Sequence, residues 1–269
     1  SGSQIWRSNP CSNSGLCFRS SLVSHQEVTV MTIKAVVFDW GGTLTPWHNV
    51  DLFELWLGYS NIYDPENAKE LAEVLNHGEQ ARWSRQFETN GEVGTGVLDE
   101  LFHEAGVDTS SPLHSKALDS YLSGWDPHTY TDPDAVELLE GLRGRGIKTA
   151  VLSNTMWPRR HHEAVLERDG VLHLFDYLLF TSETPAGKPH KSVFADVLYN
   201  LDIEPKNAAF VGDRLFDDIH GAQSIGMKGI WIPHSNIPAS QSSDLGITPD
   251  ATVQKLGEVL NVVMDWSNQ

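Results

Sequence analysis

The chain has 269 residues and a formal net charge of −17, and 40% of its residues are hydrophobic. This length allows one large domain, or a core domain with a smaller domain inserted into it. The negative charge argues against general binding to nucleic acid or to an anionic membrane, because both are polyanions. No apolar run approaches the roughly 20 residues that a membrane span needs. We therefore expect a soluble protein whose partners are small molecules.

Residues 1–30 differ from the rest of the chain, since they are rich in serine and lack periodicity. They begin Ser-Gly-Ser, like the residues that a cloning tag leaves behind, and Met31 is a candidate natural start. They lack the basic and apolar segments of a secretory signal. Cys11 and Cys17 are too few for a disulfide scaffold and have no histidine pair nearby for a zinc site. We expect a flexible extension over 1–30 and a cytoplasmic protein.

From Ile33 onward, short apolar runs alternate with helical patterns, as in the strand and helix units of a parallel sheet. Strands are predicted over 33–38, 148–152, 176–180, 208–211 and 229–232. Helices are predicted between them, with inward positions at Val136, Leu139 and Leu142, at Val193, Phe194, Val197, Leu198 and Leu201, at Ile219, Ala222 and Ile225, and at Val253, Leu256, Leu260 and Val263. The pattern predicts an α/β fold with an open, doubly wound, Rossmann-like parallel sheet.

Residues 47–127 break this alternation, because they show helical patterns and no convincing strand. Three patterns are clear: Ala68, Leu71 and Leu75; Val97, Leu101 and Ala105; and Leu113, Ala117 and Tyr121. Pro65 and Pro112 lie where the first and third of these helices would begin. We therefore expect an all-helical cap over 47–127, inserted into a core formed by 31–46 and 128–269.

Polar residues terminate the predicted strands, and ligands of open α/β sheets bind at the carboxyl ends of strands. Asp39, Trp40 and Gly41 follow the first strand, Ser153 and Asn154 end the second, Lys188 follows the third, and Asp213 ends the fourth, with Asp217 and Asp218 beyond it. Taken singly, each group is more often a turn, a cap or a solvated loop. Taken together, they place a carboxylate nucleophile, a hydroxyl, an ammonium and an acidic pair around one crevice.

These four motifs, in this order and with a helical segment after the first, resemble those of the haloacid dehalogenase superfamily of hydrolases, and the resemblance covers essentially residues 31–269. It implies that Asp39 attacks the phosphorus of a small phosphorylated substrate and forms an aspartyl-phosphate. It also implies that the Ser153 hydroxyl and the Lys188 ammonium bind the transferring phosphoryl group. The backbone N–H groups of Trp40 and Asn154 are expected to help.

The resemblance further implies a Mg²⁺ ion held by Asp39, by the peptide carbonyl of Gly41 and by Asp213, with Asp217 or Asp218 as a direct or water-mediated ligand. Asp218 matches the second acid of the fourth motif and is expected to hold Lys188 in place. Spacing alone does not choose between Asp217 and Asp218. Arg214 is a candidate for contact with the substrate anion, and equally a partner for these two aspartates.

The chain departs from the family pattern at Gly41, where most phosphatases of the family carry an aspartate that acts as general acid and base. Such catalysis is typically worth about 10²- to 10⁴-fold. We favour a phosphatase that acts on an ester with a good leaving group, or that takes the proton from water or from a group such as His48. The alternatives are a carbon–halogen or carbon–phosphorus hydrolase, and a ligand-binding or regulatory protein without turnover.

Two observations weigh against the alternative hydrolases. The family's dehalogenases lack the motif to which Asp213 belongs. Carbon–phosphorus cleavage uses a cap lysine, for which only Lys69 and Lys116 are available, neither in a persuasive setting. The sequence leaves the substrate and the oligomeric state open.

Several other residues have a plain structural interpretation. We expect Trp47, Trp56, Trp83 and Trp125 to pack between the helices of 47–127 rather than to line a substrate pocket. We expect residues 157–162 to form the solvated start of a helix rather than a second anion site. His173, His190 and His220 lack metal-ligand spacing and are expected to be structural.

Overall fold

The computed structural model describes residues 32–233 and 246–267, so the predicted N-terminal extension lies outside the described residues. Within these ranges, six strands form one parallel sheet in the order β3-β2-β1-β4-β5-β6. They are β1 (Ala35–Phe38), β2 (Lys148–Ser153), β3 (Tyr177–Phe180), β4 (Ala208–Gly212), β5 (Lys228–Trp231) and β6 (Ala251–Thr252). The predicted doubly wound α/β architecture is confirmed.

The central strand β1 is buried on both faces of the sheet. Val36 and Phe38 pack into one hydrophobic cluster, and Ala35 and Val37 pack into the other. A strand that is covered on both faces has apolar residues at every position, which is why this run was recognisable in the sequence. The two clusters hold the carboxyl end of β1, and so the position of Asp39, between two layers of helices.

The helices that flank the sheet are α5 (Ala135–Arg143), α6 (Arg159–Arg168), α7 (Lys191–Leu201), α8 (Gly221–Gln223) and α9 (Val259–Ser267), with a π-helical segment over Leu215–His220. The predicted apolar face of α7 is buried in full. Val136 was predicted to face inward but is 40% exposed, because α5 instead buries the stripe Ala135, Leu138, Leu139 and Leu142.

Two helices differ from their predicted extents. The final helix was predicted from Val253, but α9 begins at Val259, because the Val253 N–H donates to the Trp231 carbonyl (3.0 Å) and extends the pairing of β6 with β5. The helix predicted through Ile219, Ala222 and Ile225 is divided between the π-helical segment and the short α8. The π-helical segment begins at Leu215, two residues after Asp213, and contains Asp217 and Asp218.

Residues 47–127, which we call the helical insert, form four helices: α1 (Leu52–Tyr63), α2 (Ala68–Glu88), α3 (Leu98–Glu104) and α4 (Pro112–Ser123). The three predicted patterns correspond to α2, α3 and α4. α1 is an addition, and its N-cap is Asp51, whose carboxylate accepts the N–H groups of Phe53 (3.0 Å) and Glu54 (3.3 Å). Leu113 was predicted on the apolar face of α4 but is 49% exposed, because that helix buries His114, Ala117, Leu118 and Tyr121 instead.

The insert contacts the core through the segment that follows α2. The Gly187 N–H donates to the Gly91 carbonyl (2.8 Å), and the Gly94 N–H donates to the Pro185 carbonyl (2.9 Å). Gly91 has a φ of +76°, and a side chain there would collide with the Gly187 carbonyl, so this close approach requires glycine. The insert therefore covers the carboxyl end of the sheet. Among the described residues, no helix combines the length and the apolarity that crossing a membrane requires.

Candidate active site

The carboxyl ends of β1, β2 and β4 bring the predicted functional side chains together. Phe38 lies beside Val151 of β2 and Val211 of β4, and the Asp39 N–H donates to the Val211 carbonyl (2.9 Å). Asp39, Ser153, Lys188, Asp213 and Asp218 are all at least nine-tenths buried. The structure thus gathers five of the predicted site residues into one buried cluster.

Lys188 joins two carboxylates of this cluster. Its Nζ donates to Asp39 Oδ1 at 2.6 Å and to Asp218 Oδ1 at 2.7 Å. Burial lowers the pKa of Lys188, but the charges of Asp218 and Asp39 outweigh that effect, so its pKa lies above the ordinary value. Lys188 is therefore a charged ammonium that contacts Asp39.

Two amide side chains hold the main chain of Lys188, and the sequence did not reveal this contact. Asn154 Oδ1 accepts the Lys188 N–H at 2.8 Å, and Asn154 Nδ2 donates to the Lys188 carbonyl at 3.2 Å. Gln86, at the end of α2, donates to the same carbonyl at 3.1 Å. Asn154 was predicted to contribute its backbone N–H to phosphate binding; its side chain also positions the lysine.

Asp213 has an unusual environment for a buried carboxylate. Neither of its two oxygens has a hydrogen-bond partner among the described residues. Burial raises the pKa of Asp213 well above its ordinary value, and the charge of Asp39 adds to that increase. One carboxylate oxygen each from Asp39, Asp213 and Asp218 lie within 4.8 Å of one another. A divalent cation that prefers hard oxygen ligands fits this group.

The turn after Asp39 brings the backbone against Asp213. Gly42 has a φ of +86°, and a Cβ there would lie 2.6 Å from Asp213 Oδ2. Only glycine combines this left-handed backbone with so close an approach. The Trp40 carbonyl accepts the N–H groups of Leu44 and Thr45, each at 3.0 Å, which fixes the turn. The peptide groups around Gly41 are thereby held at the edge of the carboxylate cluster.

Asp217 and Asp218 are consecutive residues of the π-helical segment, but their side chains lie in different environments. Asp218 accepts Lys188 Nζ on one oxygen and the Arg214 N–H on the other (2.9 Å), and it is fully buried. Asp217 instead lines the open cleft, 3.8 Å from the Arg214 guanidinium, and burial raises its pKa to about 6. Asp218 is thus the acid that contacts the lysine. Arg214 also lies over the Trp47 ring, 5.3 Å from its centroid.

A cleft of about 620 Å³ leads from Asp39 to the helical insert. Gly41 lies on its wall, and a Cβ at that position would have no atom of the described residues within 4 Å. His48 also lines the cleft, and its Nδ1 lies 2.9 Å from Nδ1 of His128. These two histidines belong to the two segments that connect the insert to the core.

The tryptophans depart from their predicted role. Trp56 does pack in the interior of the insert, stacked on Tyr121 with ring centroids 4.0 Å apart. Trp47, Trp83 and Trp125 line the cleft. Trp83 and Trp125 also pack against the hydrophobic core cluster, so the prediction of packing is confirmed for these two, but the expectation that the three residues do not line a pocket is wrong.

The segment 157–162 also differs from expectation. It does begin α6, but Trp157 and His162 are buried at the cleft rather than solvated. Arg159 does not reach the cleft and pairs with Glu183 at 2.6 Å. His162 is stacked on Phe180, with ring centroids 4.3 Å apart. The solvated part of the helix start is therefore limited to its basic residues.

A doubly wound parallel sheet that carries a buried aspartate after its central strand, paired with a lysine and flanked by an acidic cluster, defines a class of hydrolases that use an aspartate nucleophile. Residues 33–226 match the family model described as haloacid dehalogenase-like hydrolase. The chain belongs to this family, and it is a hydrolase.

Two proteins named as phosphatases are similar in sequence to most of the chain. A glyceraldehyde 3-phosphate phosphatase of Methanopyrus kandleri is 25% identical over 244 residues, which cover 87% of this chain and 98% of the relative. A ribulose-1,5-bisphosphate 5-phosphatase of Halopiger xanaduensis is 30% identical over 212 residues, which cover 74% of this chain and 88% of the relative.

Solved structures share the fold. A HAD phosphatase from Thermococcus onnurineus superimposes with a TM-score of 0.60 and 24% identity, over 86% of this chain and 98% of that chain. A 2-haloacid dehalogenase from Pseudomonas syringae superimposes with a TM-score of 0.63 and 23% identity, over 87% of this chain and 100% of that chain. At these identities the similarity establishes the architecture alone.

Proposed function

We propose that the protein is a Mg²⁺-dependent phosphatase that acts on a small phosphorylated metabolite through an aspartyl-phosphate on Asp39. The observation that carries this proposal is the Asp213 carboxylate, buried without a hydrogen-bond partner among the described residues and adjacent to Asp39. A buried carboxyl of this kind is stable in its ionised form when a cation lies beside it, and burial favours its protonated form otherwise. The phosphatase names of the two sequence relatives support the same conclusion.

In the proposed reaction, the chain's own groups bind and orient the phosphoryl group. Lys188 Nζ neutralises charge on its oxygens, and the Trp40 and Asn154 N–H groups donate to them. The Ser153 hydroxyl contacts the Asn154 carbonyl only at 3.5 Å, so it can turn toward an incoming oxygen. Arg214 is positioned at the cleft wall to contact the same anion.

The chemistry exchanges one bond at phosphorus for another. An Asp39 oxygen attacks in line, the Asp39 O–P bond forms, the ester P–O bond breaks, and the leaving oxygen takes a proton. Water then attacks the phosphorus of the aspartyl-phosphate, which releases phosphate and restores Asp39. Mg²⁺ would be held by Asp39, Asp213, Asp218 and the Gly41 carbonyl, where it would offset the repulsion between the carboxylate and the phosphate.

The source of the proton for the leaving group distinguishes this site from those family members that carry an aspartate at the position of Gly41. We propose that the leaving group takes its proton from water or from His48, whose ring lines the cleft. In this proposal the helical insert is a cap that determines which leaving group reaches Asp39. The exposed Lys69 and Lys116 do not line the cleft, so they give no support to carbon–phosphorus cleavage.

The test is hydrolysis of phosphate esters with and without Mg²⁺, using Asp39→Asn as the catalytic variant and Asp119→Asn, at an exposed position of α4, as its control. We expect chelation to abolish turnover and Asp39→Asn to reduce it by roughly 10⁴-fold or more. Acid-quenched enzyme should carry a phosphoryl adduct, detected by intact-mass spectrometry, that hydroxylamine removes and that Asp39→Asn lacks.

Other outcomes would identify the alternatives. Release of halide from a 2-haloacid in the presence of chelator would indicate a dehalogenase. Binding of phosphate or of esters without turnover of any of them would indicate a ligand-binding protein. Activity on phosphate esters that is unchanged in chelator would contradict the metal-assisted mechanism.

A further inference from the structure

The two sides of the cleft carry different sets of charged groups. The core side contributes the cations Lys188 and Arg214 together with the carboxylates Asp39 and Asp217. The helical insert contributes the carboxylates Glu79 and Glu88, and no lysine or arginine among its residues, all of which are described, lines the cleft. The leaving group of a substrate held at Asp39 would therefore meet negative charge on the insert side.

On the insert side, the carboxyl group of Glu79 is held in place by its burial and by a hydrogen bond. Glu79 is 5% exposed, and its Oε2 accepts the indole N–H of Trp56 at 2.7 Å. Trp56 is itself fully buried and stacked on Tyr121. The interior packing of the insert thus holds the carboxylate of Glu79 in place where it lines the cleft. Burial raises the pKa of Glu79, and the polar groups of Trp56, Trp83 and Tyr121 oppose that increase.

No cation of the described residues forms an ion pair with Glu79, so the groups that contact its carboxyl are the neutral polar groups of Trp56, Trp83 and Tyr121. Unsatisfied polar groups lie beside it. The Tyr121 hydroxyl and the Trp125 indole N–H are buried, and neither has a hydrogen-bond partner among the described residues. A buried carboxylate without a cation is costly, and a ligand that brings a positive charge removes that cost.

The walls around this carboxylate are aromatic. Trp83 and Trp125 line the cleft from the insert, and Trp157 lines it from the core, with its ring centroid 5.0 Å from that of Trp125. Indole faces attract cations. The cleft already shows one such contact, because the Arg214 guanidinium lies over the ring of Trp47.

We propose that the insert side of the cleft binds an organic cation, so that the substrates are phosphate monoesters of amino alcohols, with the ammonium group against Glu79 between the indoles of Trp83 and Trp125. This inference rests on the proposed phosphatase function. A bisphosphate, which the name of the Halopiger relative specifies, would place its second phosphate against Glu79 and Glu88. The charge of the insert side therefore separates this chain from that substrate class.

The activity test compares phosphocholine with 3,3-dimethylbutyl phosphate, which has the same shape but a carbon in place of the charged nitrogen. We expect kcat/KM to favour phosphocholine by about tenfold or more. p-Nitrophenyl phosphate serves as the reference ester. If the enzyme hydrolyses that reference but shows no preference for the cation, the present inference is wrong and the proposed function stands. If no ester is hydrolysed, the proposed function fails.

A binding test examines the cation site even if no ester is hydrolysed. Intrinsic tryptophan fluorescence is titrated with choline and with its neutral isostere 3,3-dimethylbutan-1-ol. We expect choline to bind about tenfold more tightly or better, because only choline carries the charge. Equal affinities, or tighter binding of the alcohol, would overturn the assignment of the site.

The variant Glu79→Gln assigns the effect to one side chain, since the amide keeps an oxygen that can accept the Trp56 N–H. We expect the preference for choline over the alcohol to fall about tenfold. Glu73→Gln, at an exposed position of α2 outside the cleft, is the matched control and should leave the preference intact. Where Glu79→Gln does not fold, Trp83→Leu removes an indole wall and should lower the same ratio. A ratio that survives in the folded variant would contradict the proposal.

Discussion

The core side and the insert side of the cleft are built on different principles. On the core side, Asp39, Ser153 and Asp213 follow parallel strands, so the register of β1, β2 and β4 fixes their separation. On the insert side, Glu79 and Trp83 belong to one helix, and their positions depend on how α1, α2 and α4 pack. The comparison teaches that strand pairing fixes the positions of the groups proposed for the reaction. Side-chain packing between helices fixes the positions of the groups proposed to contact the leaving group.

Both sides combine partnered polar groups with unpartnered ones. On the core side, Lys188 is hydrogen-bonded to Asp218 and Asn154, whereas Asp213 has no hydrogen-bond partner among the described residues. On the insert side, Glu79 accepts the Trp56 indole N–H, whereas the buried indole N–H groups of Trp47 and Trp125 have no partner in the described part of the chain. We expect substitutions on the core side to act on turnover, and substitutions on the insert side to act on the choice of substrate.

The largest expected effect is on the core side, at Asp213. Asp213→Asn keeps the size of the side chain but removes the charge that the cation requires, so we expect kcat/KM to fall by about 10³-fold or more. Isothermal calorimetry should show weaker Mg²⁺ binding in the same variant. Asp217→Asn is the matched comparison, because Asp217 lines the cleft outside the three-carboxylate group. Equal losses of kcat/KM in the two variants would contradict the assignment of Asp213, and not Asp217, to the metal site.

The second effect is a gain, at Gly41. Since a Cβ at this position meets no described atom within 4 Å, Gly41→Asp should fold and supply a general acid to the leaving group. We expect turnover of an alkyl phosphate to rise by up to about 10²-fold, and turnover of p-nitrophenyl phosphate to change little, because its leaving group needs no proton.

Gly41→Asn and Gly41→Ala are the controls for this gain, since they add a side chain without an acid. Equal rates in all three variants would show that proton transfer does not limit the reaction. The core side would then already contain a sufficient proton donor, and His48 would be the first residue to substitute.

A smaller effect is expected where the two sides meet, at Gly91. Gly91→Ala forces a left-handed alanine and a collision with the Gly187 carbonyl. Gly106→Ala is the control, because Gly106 has a similar φ of +74° in the insert but no described atom within 4 Å of its Cβ position. We expect Gly91→Ala to lower the free energy of unfolding by about 1–2 kcal/mol more than the control, measured by urea denaturation. Equal losses would mean that this contact does not hold the insert to the core.

The smallest effect concerns His162, which is buried beneath the cleft. Burial, with a further contribution from His161, holds the pKa of His162 well below its ordinary value. Below the unfolded pKa of about 6.5, the unfolded chain gains a proton that the folded chain does not, so stability falls by up to about 1.4 kcal/mol per pH unit.

His162→Gln should remove this part of the pH dependence, and His77→Gln, at an exposed position of α2, controls for the substitution itself. The measurement is urea denaturation at about pH 7 and about pH 5.5. A variant that keeps the full slope of the wild-type protein would show that another group is responsible.

The sequence predicted the core side far better than the insert side, and the reason is physical. A strand that is buried on both faces leaves a continuous apolar run, and the residue after it lies at a known edge of the sheet, so the positions of Asp39, Ser153 and Asp213 at the strand ends were predicted correctly. An amphipathic helix shows only that it packs, not what it packs against. The positions of Gln86 and Glu79 at the cleft therefore had no signal that pattern analysis could detect.

Local exceptions arose where tertiary contacts overrode a pattern. Val253 joins the pairing of β6 with β5 instead of starting a helix, and the π-helical segment replaced a regular helix after Asp213. The exact bounds of the cap, the cytoplasmic location and the roles of the individual site residues stay predictions.

In the proposed phosphatase, the hydrogen bond from Gln86 to the Lys188 carbonyl would link substrate access to the alignment of the lysine. Gln86 belongs to the helical insert, whereas Lys188 contacts Asp39 from the core. Any motion that lifts the insert to admit a substrate withdraws one of the two side chains that hold the main chain of the lysine. The open enzyme would then have a less constrained lysine, and enclosure of the substrate would restore its alignment before the phosphoryl group is attacked.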